Sequence, residues 1–252
     1  MAKQDGILPV KGTLGNLTFY KRADGQHYVR LKGGVSSEQL KKDPKFQRTR
    51  ENGAEFGRAN KAGRTLRHAV RSSIIRIADS GMTPRLTQAM MKVLQADLVS
   101  TRGLRNVIDG ETELLRNFEF NIKSPLPTTL HAGYTPAINR VTGAMTISLP
   151  AFKAAEHVSS PEGATHFRIL TAAAEVDFER GTAVTDAKNT EILPLTGPEL
   201  AAQVLSTALT PNSTHPLFLL LGIEFYQQTN NELLPLHNGA FSAMQIVEVL
   251  GV

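Results

Sequence analysis

The spacing of the hydrophobic residues changes near residue 120, and this change limits the folds open to the chain. Before it, one stripe of apolar and small residues recurs every three or four positions, at Phe56, Ala59, Gly63, Leu66, Val70, Ile74 and Ile77. That spacing is typical of one face of an amphipathic helix. After residue 120, short apolar runs separated by turn residues predict strands. A helical part followed by a strand-rich part predicts an α+β fold.

The strand-rich part predicts an antiparallel architecture. Candidate strands lie at 129–134, 137–149, 165–178, 190–194, 217–228 and 243–250. A turn at Thr142-Gly143 would make the second segment a hairpin, and a short helix is expected at 199–209. Ser124-Pro-Leu-Pro127 is interpreted as a linker. Many short strands with turns between them favour a C-terminal β-sandwich of immunoglobulin-like build. We therefore expect two domains, a hairpin-plus-helical head at 1–119 and the sandwich at 120–252.

A β-hairpin is predicted near the N-terminus, where residues 17–22 and 27–32 flank an Asp24-Gly25 turn. The dipeptide is a type I′ signal. With a loop of two or four residues, Arg22 would face His27, and this pair would fix the register of the whole hairpin. One face would then be buried, and the opposite face would interleave aromatic and cationic side chains, namely Phe19, Lys21, Tyr28, Arg30 and Lys32.

Positive charge is concentrated at the N-terminal end. The first 76 residues hold 17 of the 28 Lys and Arg but only 6 of the 23 Asp and Glu. A basic head on a mildly acidic remainder suggests an anionic partner, or docking on acidic copies of the same protein. Three arginines beside the helical stripe would extend this surface. The candidate contacts for an anion or a partner are Phe19, Lys21, Tyr28, Arg30, Lys32, Arg64, Arg67 and Arg71.

No catalytic, cofactor or metal site is predicted. The chain has no cysteine, and its seven histidines include no helical metal pair. Glu175, Asp177 and Glu179 alternate with apolar residues, so we expect them on the solvent face of a strand. A hydrolytic or carbohydrate-active enzyme on the sandwich would need them opposite a second acid from another strand. No leader or membrane span is recognised, and a cytoplasmic protein without membrane insertion is expected.

Glycine punctuates a distinctive N-terminal pattern, made of Lys11-Gly-Thr-Leu-Gly-Asn-Leu-Thr-Phe-Tyr-Lys21, Asp24-Gly25, Arg30-Leu-Lys-Gly-Gly34 and Phe46-Gln-Arg-Thr-Arg-Glu-Asn-Gly-Ala-Glu-Phe-Gly-Arg58. The pattern resembles a group of uncharacterised bacterial proteins, chiefly from Bacteroidota, over about the first 70 residues. That group has no assigned activity or catalytic residues. The resemblance therefore implies a single N-terminal module and adds no mechanism.

Two functions lead from the residues alone, and the enzyme on the sandwich stays open as a third. The leading hypothesis is a non-enzymatic structural or interaction protein that self-assembles or docks on a protein partner through its basic head, where a hairpin edge could accept a neighbouring strand. The alternative is a DNA- or RNA-binding protein, with cations on phosphates and rings stacked on bases. Aromatic–cation pairs of this kind are also ordinary packing within a sheet.

Overall fold

Helices and antiparallel sheets make up the computed structural model, which describes residues 2–4, 10–236 and 241–252. The predicted α+β class is confirmed. The chain divides into two units, Met1–Arg50 and Glu51–Val252. The predicted domain boundary between residues 119 and 120 falls inside the larger unit, and His237 lies outside the described residues.

The smaller unit contains a four-stranded antiparallel sheet, the N-terminal sheet, of strands β1 (Ala2–Lys3), β2 (Gly12–Leu14), β3 (Leu17–Lys21) and β4 (His27–Leu31). Helix α1 (Ser37–Lys42) and a 3₁₀ helix (Pro44–Phe46) follow. Ser36 caps α1: its Oγ accepts from Gln39 N, and Gln39 Oε1 accepts from Ser36 N, both at 3.1 Å. This reciprocal pair satisfies two backbone donors at the helix start.

The remaining helices are α2 (Gln47–Ala69), α3 (Arg71–Ile74), α4 (Met82–Gln95), a 3₁₀ helix (Thr112–Leu115), α5 (Leu126–Thr129) and α6 (Ala154–His157). The predicted stripe is buried from Ala59 to Ile77, but Phe56 is exposed. Glu55 is buried in its place, and its Oε1 accepts a hydrogen bond from Gly103 N at 2.8 Å. The first inward-facing residue of α2 is therefore set by a hydrogen-bond partner for the Glu55 carboxylate and not by hydrophobicity.

The strands of the larger unit are β5 (Thr135–Asn139), β6 (Ala144–Leu149), β7 (His166–Asp177), β8 (Thr182–Asn189), β9 (Leu193–Pro194), β10 (Gln203–Ala208), β11 (Leu217–Thr229), β12 (Glu232–Pro235) and β13 (Ala243–Leu250). A small sheet has the order β10-β6-β5. A large sheet has the order β12-β11-β7-β8, with β13 also paired to β11 and β9 to β7. All of these pairings are antiparallel.

The central strands of the large sheet, β7, β11 and β13, are buried on both faces. Along β11, Phe218 and Leu220 pack into a core shared with α2 and α4, whereas Leu219 and Leu221 pack into a second core shared with the small sheet. The layers are therefore helices, large sheet and small sheet. Burial on both sides explains why β11 has a continuous apolar sequence rather than an alternating one.

Three predictions in the C-terminal half are wrong, and one strand was missed. The strand expected at 129–134 is absent, since only Leu130 forms an isolated bridge, to Val158. Residues 199–209 form no helix; they contain β10, whose Leu205 and Thr207 alternate inward. The supposed linker contains Leu126, which is fully buried and begins α5. Strand β8 was not predicted, because it is nearly all exposed and has no apolar alternation. These segments owe their structure to the strands and core against which they pack.

Candidate functional site

The N-terminal sheet has the order β1-β4-β3-β2, and its β3–β4 hairpin confirms the predicted one. The predicted register is wrong by one residue. The loop has three residues, since Arg22 N donates to Gln26 O at 3.0 Å and Gly25 N donates to Arg22 O at 3.0 Å. Gly25 has φ +81°, as in a turn followed by a glycine bulge. An odd loop moves Arg22 from His27 to Gln26 and exchanges the two faces of β4.

One face of the hairpin presents two tyrosines between two arginines, a set that we call the tyrosine–arginine ladder. Tyr20 and Tyr28 are direct cross-strand partners and stack with ring centroids 6.1 Å apart. The Arg30 guanidinium lies 5.4 Å from the Tyr20 ring centroid, and that of Arg22 lies 5.3 Å from the Tyr28 ring centroid. Aromatic and cationic groups are therefore interleaved as predicted, but with different members.

The hairpin loop holds one end of this ladder in place. The Tyr28 hydroxyl donates to Asp24 Oδ2 at 3.2 Å, and Gln26 N donates to Asp24 Oδ1 at 3.0 Å. Chiefly because of the Gln26 hydrogen bond, the pKa of Asp24 is lowered. The carboxylate therefore stays ionised at neutral pH and fixes the Tyr28 ring beside Arg22.

The opposite face carries a leucine row, formed by Leu14, Leu17 and Leu31. Leu17 pairs directly with Leu31 on β4 and with Leu14 on β2, so the three side chains cross three strands in line. Leu14 and Leu31 are each 73% exposed, and Leu17 is 39% exposed. Half-buried Phe19 and Val29 form the next pair on the same face. Apolar surface is thus presented where a sheet would normally pack on a core.

The smaller unit has no core in the part that the structure describes. Within residues 2–4 and 10–50, no residue is buried, and α1 contributes only exposed side chains. Strand β2 ends the sheet, so its outer edge has no strand partner among these residues. A small sheet without buried residues gains little stability from its own hydrophobic contacts.

The predicted contact residues are divided by the structure. Tyr28 and Arg30 belong to the ladder, whereas Phe19 and Lys21 lie on the face of the leucine row. Lys32 is exposed just beyond β4. In the larger unit Arg64 and Arg71 are exposed, and Arg67 donates to Thr83 Oγ1 at 2.7 Å.

The sequence analysis missed two members of the ladder, Tyr20 and Arg22. Both depend on the register, which a loop of odd length sets. The available signal was glycine at the third loop position, where a positive φ is needed for the bulge.

The acidic strand is not a solvated face, and that prediction is corrected. Glu175 and Asp177 are both buried, and only Glu179 is exposed. Glu175 Oε1 accepts from Ser213 Oγ at 2.6 Å, and Asp177 Oδ1 accepts from two backbone N–H groups after β7. The backbone N–H of Arg180, above all, keeps the pKa of Asp177 low. These hydrogen bonds hold the ends of two loops.

The cavity beside Glu175 and Asp177 is lined by His215 and Arg180, and its described lining contains no acid from another strand. Across the described residues, no three His, Asp or Glu side chains are grouped as metal ligands. No helix in the same ranges has the length and apolarity needed to cross a membrane.

Comparison with protein-family models, curated proteins and solved structures finds no match to this chain.

Proposed function

We propose that this protein is a non-enzymatic interaction protein that self-associates through its N-terminal sheet. The observation that carries the proposal is the leucine row, which is exposed on a unit with no buried residue among those described. Burying apolar surface stabilises association by roughly 25 cal/mol per Å². Contact with a partner would therefore supply the hydrophobic burial that this unit lacks.

A second copy of the chain fits this surface because the edge strand can pair with itself. If Thr13 of two copies met in antiparallel register, the two β2 strands would join the sheets around a two-fold axis. Leu14 lies at the β2 end of its row, so the rows of the two copies would adjoin on one face. Such an isologous contact needs no other protein.

Charge makes a distinctive prediction for this contact. Residues 1–50 contain 11 Lys and Arg against 4 Asp and Glu, so two copies repel one another. Salt screens that repulsion and does not weaken apolar burial. Self-association should therefore strengthen when salt is raised.

Sedimentation velocity over a range of protein concentrations at low and high salt tests the proposal. We expect a dimer or larger assembly that high salt favours, and we expect Leu14→Glu with Leu31→Glu to yield monomer. Leu98→Glu is the matched control, because Leu98 is 95% exposed in the larger unit. A wild-type monomer at every concentration would refute the proposal, as would an unchanged assembly in the double variant.

The tyrosine–arginine ladder favours a second candidate function, binding of single-stranded nucleic acid. Stacked rings flanked by guanidinium groups supply both base stacking and phosphate contacts. Fluorescence anisotropy with a labelled oligothymidine should show binding that weakens as salt rises. The double variant Arg22→Glu, Arg30→Glu should abolish oligothymidine binding. The Arg64→Glu variant tests the contribution of the helical arginines separately. Binding unaffected by the ladder variant would exclude this surface.

We also propose that the two C-terminal sheets form an antiparallel sandwich of immunoglobulin-like build. Support comes from the core between the sheets, where Met145 and Ile147 of β6 meet Leu219 and Leu221 of β11. At one edge, Ala208 N donates to Asp186 Oδ2 at 2.9 Å, which links β10 to β8. The helices on the outer face of the large sheet are an addition to a two-layer sandwich. A crystal structure of the protein would test this assignment.

A further inference from the structure

A cavity of about 300 Å³ with a mixed polar and apolar lining lies in the larger unit, on the helix side of the large sheet. Helix α3 and the residues after it contribute Ser72, Ser73 and Arg76, and the sheet contributes Arg168, Asn189 and Glu224. The volume is at the lower end of the range for small-molecule sites. The apolar part of the lining comes from Ile75, Leu170 and Ala187.

The floor of the cavity is built around a cross-strand ion pair. Arg168 on β7 and Glu224 on β11 are direct partners, with Arg168 Nη2 2.8 Å from Glu224 Oε2. The Tyr226 hydroxyl donates to the same oxygen at 3.1 Å, and the Arg168 guanidinium lies 5.5 Å from the Tyr226 ring centroid. These contacts fix both charged groups before any ligand arrives, which lowers the entropy lost on binding.

Several donors at the cavity are not used by the protein. Within the described residues, Arg76 forms no ion pair, and the side chains of Ser72, Ser73 and Asn189 form no hydrogen bond. Arg168 Nε is buried and has no hydrogen-bond partner in the same part of the chain. Buried donors without partners are rare in folded proteins, and a bound water or ion is one explanation for such a group.

The charges of these groups indicate the class of ligand. Glu224 neutralises Arg168, so Arg76 supplies the net positive charge of the cavity. A guanidinium and two hydroxyls suit the oxygens of a phosphate. The Glu224 carboxylate would repel a bare anion nearby but accepts a hydroxyl donor, as does the Asn189 carbonyl. We propose that the cavity binds a small hydroxylated phosphate, with the phosphate at Arg76 and the hydroxyls at Glu224 and Asn189.

Calorimetric titration of the full chain with glucose 6-phosphate, inorganic phosphate and glucose, at constant ionic strength, tests the site. We expect glucose 6-phosphate to bind at least about tenfold more tightly than either fragment, since both halves of the cavity would be engaged. Arg76→Gln should weaken that binding about tenfold or more without changing the melting temperature, because Arg76 is exposed. Asn189→Ala should weaken glucose 6-phosphate binding and leave inorganic phosphate unaffected.

The matched control is Arg71→Gln, an exposed arginine at the start of α3 that does not line the cavity. If Arg71→Gln and Arg76→Gln lost affinity for glucose 6-phosphate equally, the binding would be non-specific charge attraction, and the proposed site would be overturned. Equal affinity for glucose 6-phosphate and inorganic phosphate would overturn the hydroxylated class. Absence of heat with all three probes would overturn the proposal altogether.

Discussion

Glu119 has a carboxyl group that the fold removes partly from water. Its Oε1 accepts from Gln245 Nε2 at 2.7 Å and from Leu126 N at 3.1 Å, whereas Oε2 is buried with no hydrogen-bond partner among the described residues. Burial raises the pKa of Glu119 to about 7, although both hydrogen bonds and the charge of Arg85 lower it. A proton on this carboxyl group therefore stabilises the folded state.

Stability should consequently fall as pH rises past the range in which Glu119 is protonated. The pKa of Glu119 is about 7 in the folded state and 4.5 in the unfolded state. The stabilisation by its proton is therefore complete below pH 4.5 and is lost as pH rises through about 7. Because the carboxyl group remains partly hydrated, we expect a loss of about 1–2 kcal/mol. Urea denaturation across this range should show the slope in the wild type and a flatter profile in Glu119→Gln.

An exposed glutamate gives the control for that measurement. Glu199→Gln, at an exposed site, should keep the wild-type slope. If Glu119→Gln and Glu199→Gln behaved alike, Glu119 would not be the group responsible.

At the scale of single elements, glycines at two positions should respond in opposite ways to alanine. A Cβ at Gly222 in β11 would lie 2.6 Å from Ala243 O and 2.8 Å from Met244 Cε. Gly222→Ala should therefore cost about 2 kcal/mol, because the paired backbone of β13 must move. A Cβ at Gly57 in α2 meets nothing within 4 Å, and Gly57→Ala should stabilise by about 0.5–1 kcal/mol.

Denaturant midpoints followed by far-UV circular dichroism would check both changes, as the chain has no tryptophan. An unchanged denaturant midpoint in Gly222→Ala would show that β11 and β13 can move apart at no cost in stability. A destabilising Gly57→Ala would mean that α2 is constrained by something other than helix propensity at that turn.

Elements were predicted well wherever local periodicity and burial agree. The stripe of α2 and the long apolar runs of β7 and β11 are strong signals, because each buries a face along most of its length. Strand β10 was mistaken for a helix, since Gln203–Ala208 has helix-compatible residues and gains its strand form from pairing with β6. Loop length similarly decided the hairpin register, and with it the membership of the tyrosine–arginine ladder.

For the larger unit as a whole, two hydrophobic cores lie on opposite faces of one sheet and should unfold together. Phe218 faces the helices and Leu219 faces the small sheet, and both side chains are fully buried. Phe218→Ala and Leu219→Ala should each cost about 3 kcal/mol, because each leaves a cavity in a close-packed core. Loss of either face exposes the shared strand, so one cooperative transition is expected.

Hydrogen exchange monitored by mass spectrometry would check this coupling. Both variants should speed exchange in α4 and in β6, although each substitution touches only one core. Separate calorimetric transitions, or faster exchange confined to one side, would show that the two cores unfold independently.

By itself, the sequence determined the α+β class, the long helix, the hairpin and the strands whose apolar runs are buried throughout. It also determined the basic N-terminal end, because charge is additive and independent of folding. Only the tertiary structure decided the burial of Glu175 and Asp177 and the cavity around Arg168 and Glu224. The physical reason is that local periodicity reports which faces are buried, whereas the partners of a polar side chain come from segments distant in the chain.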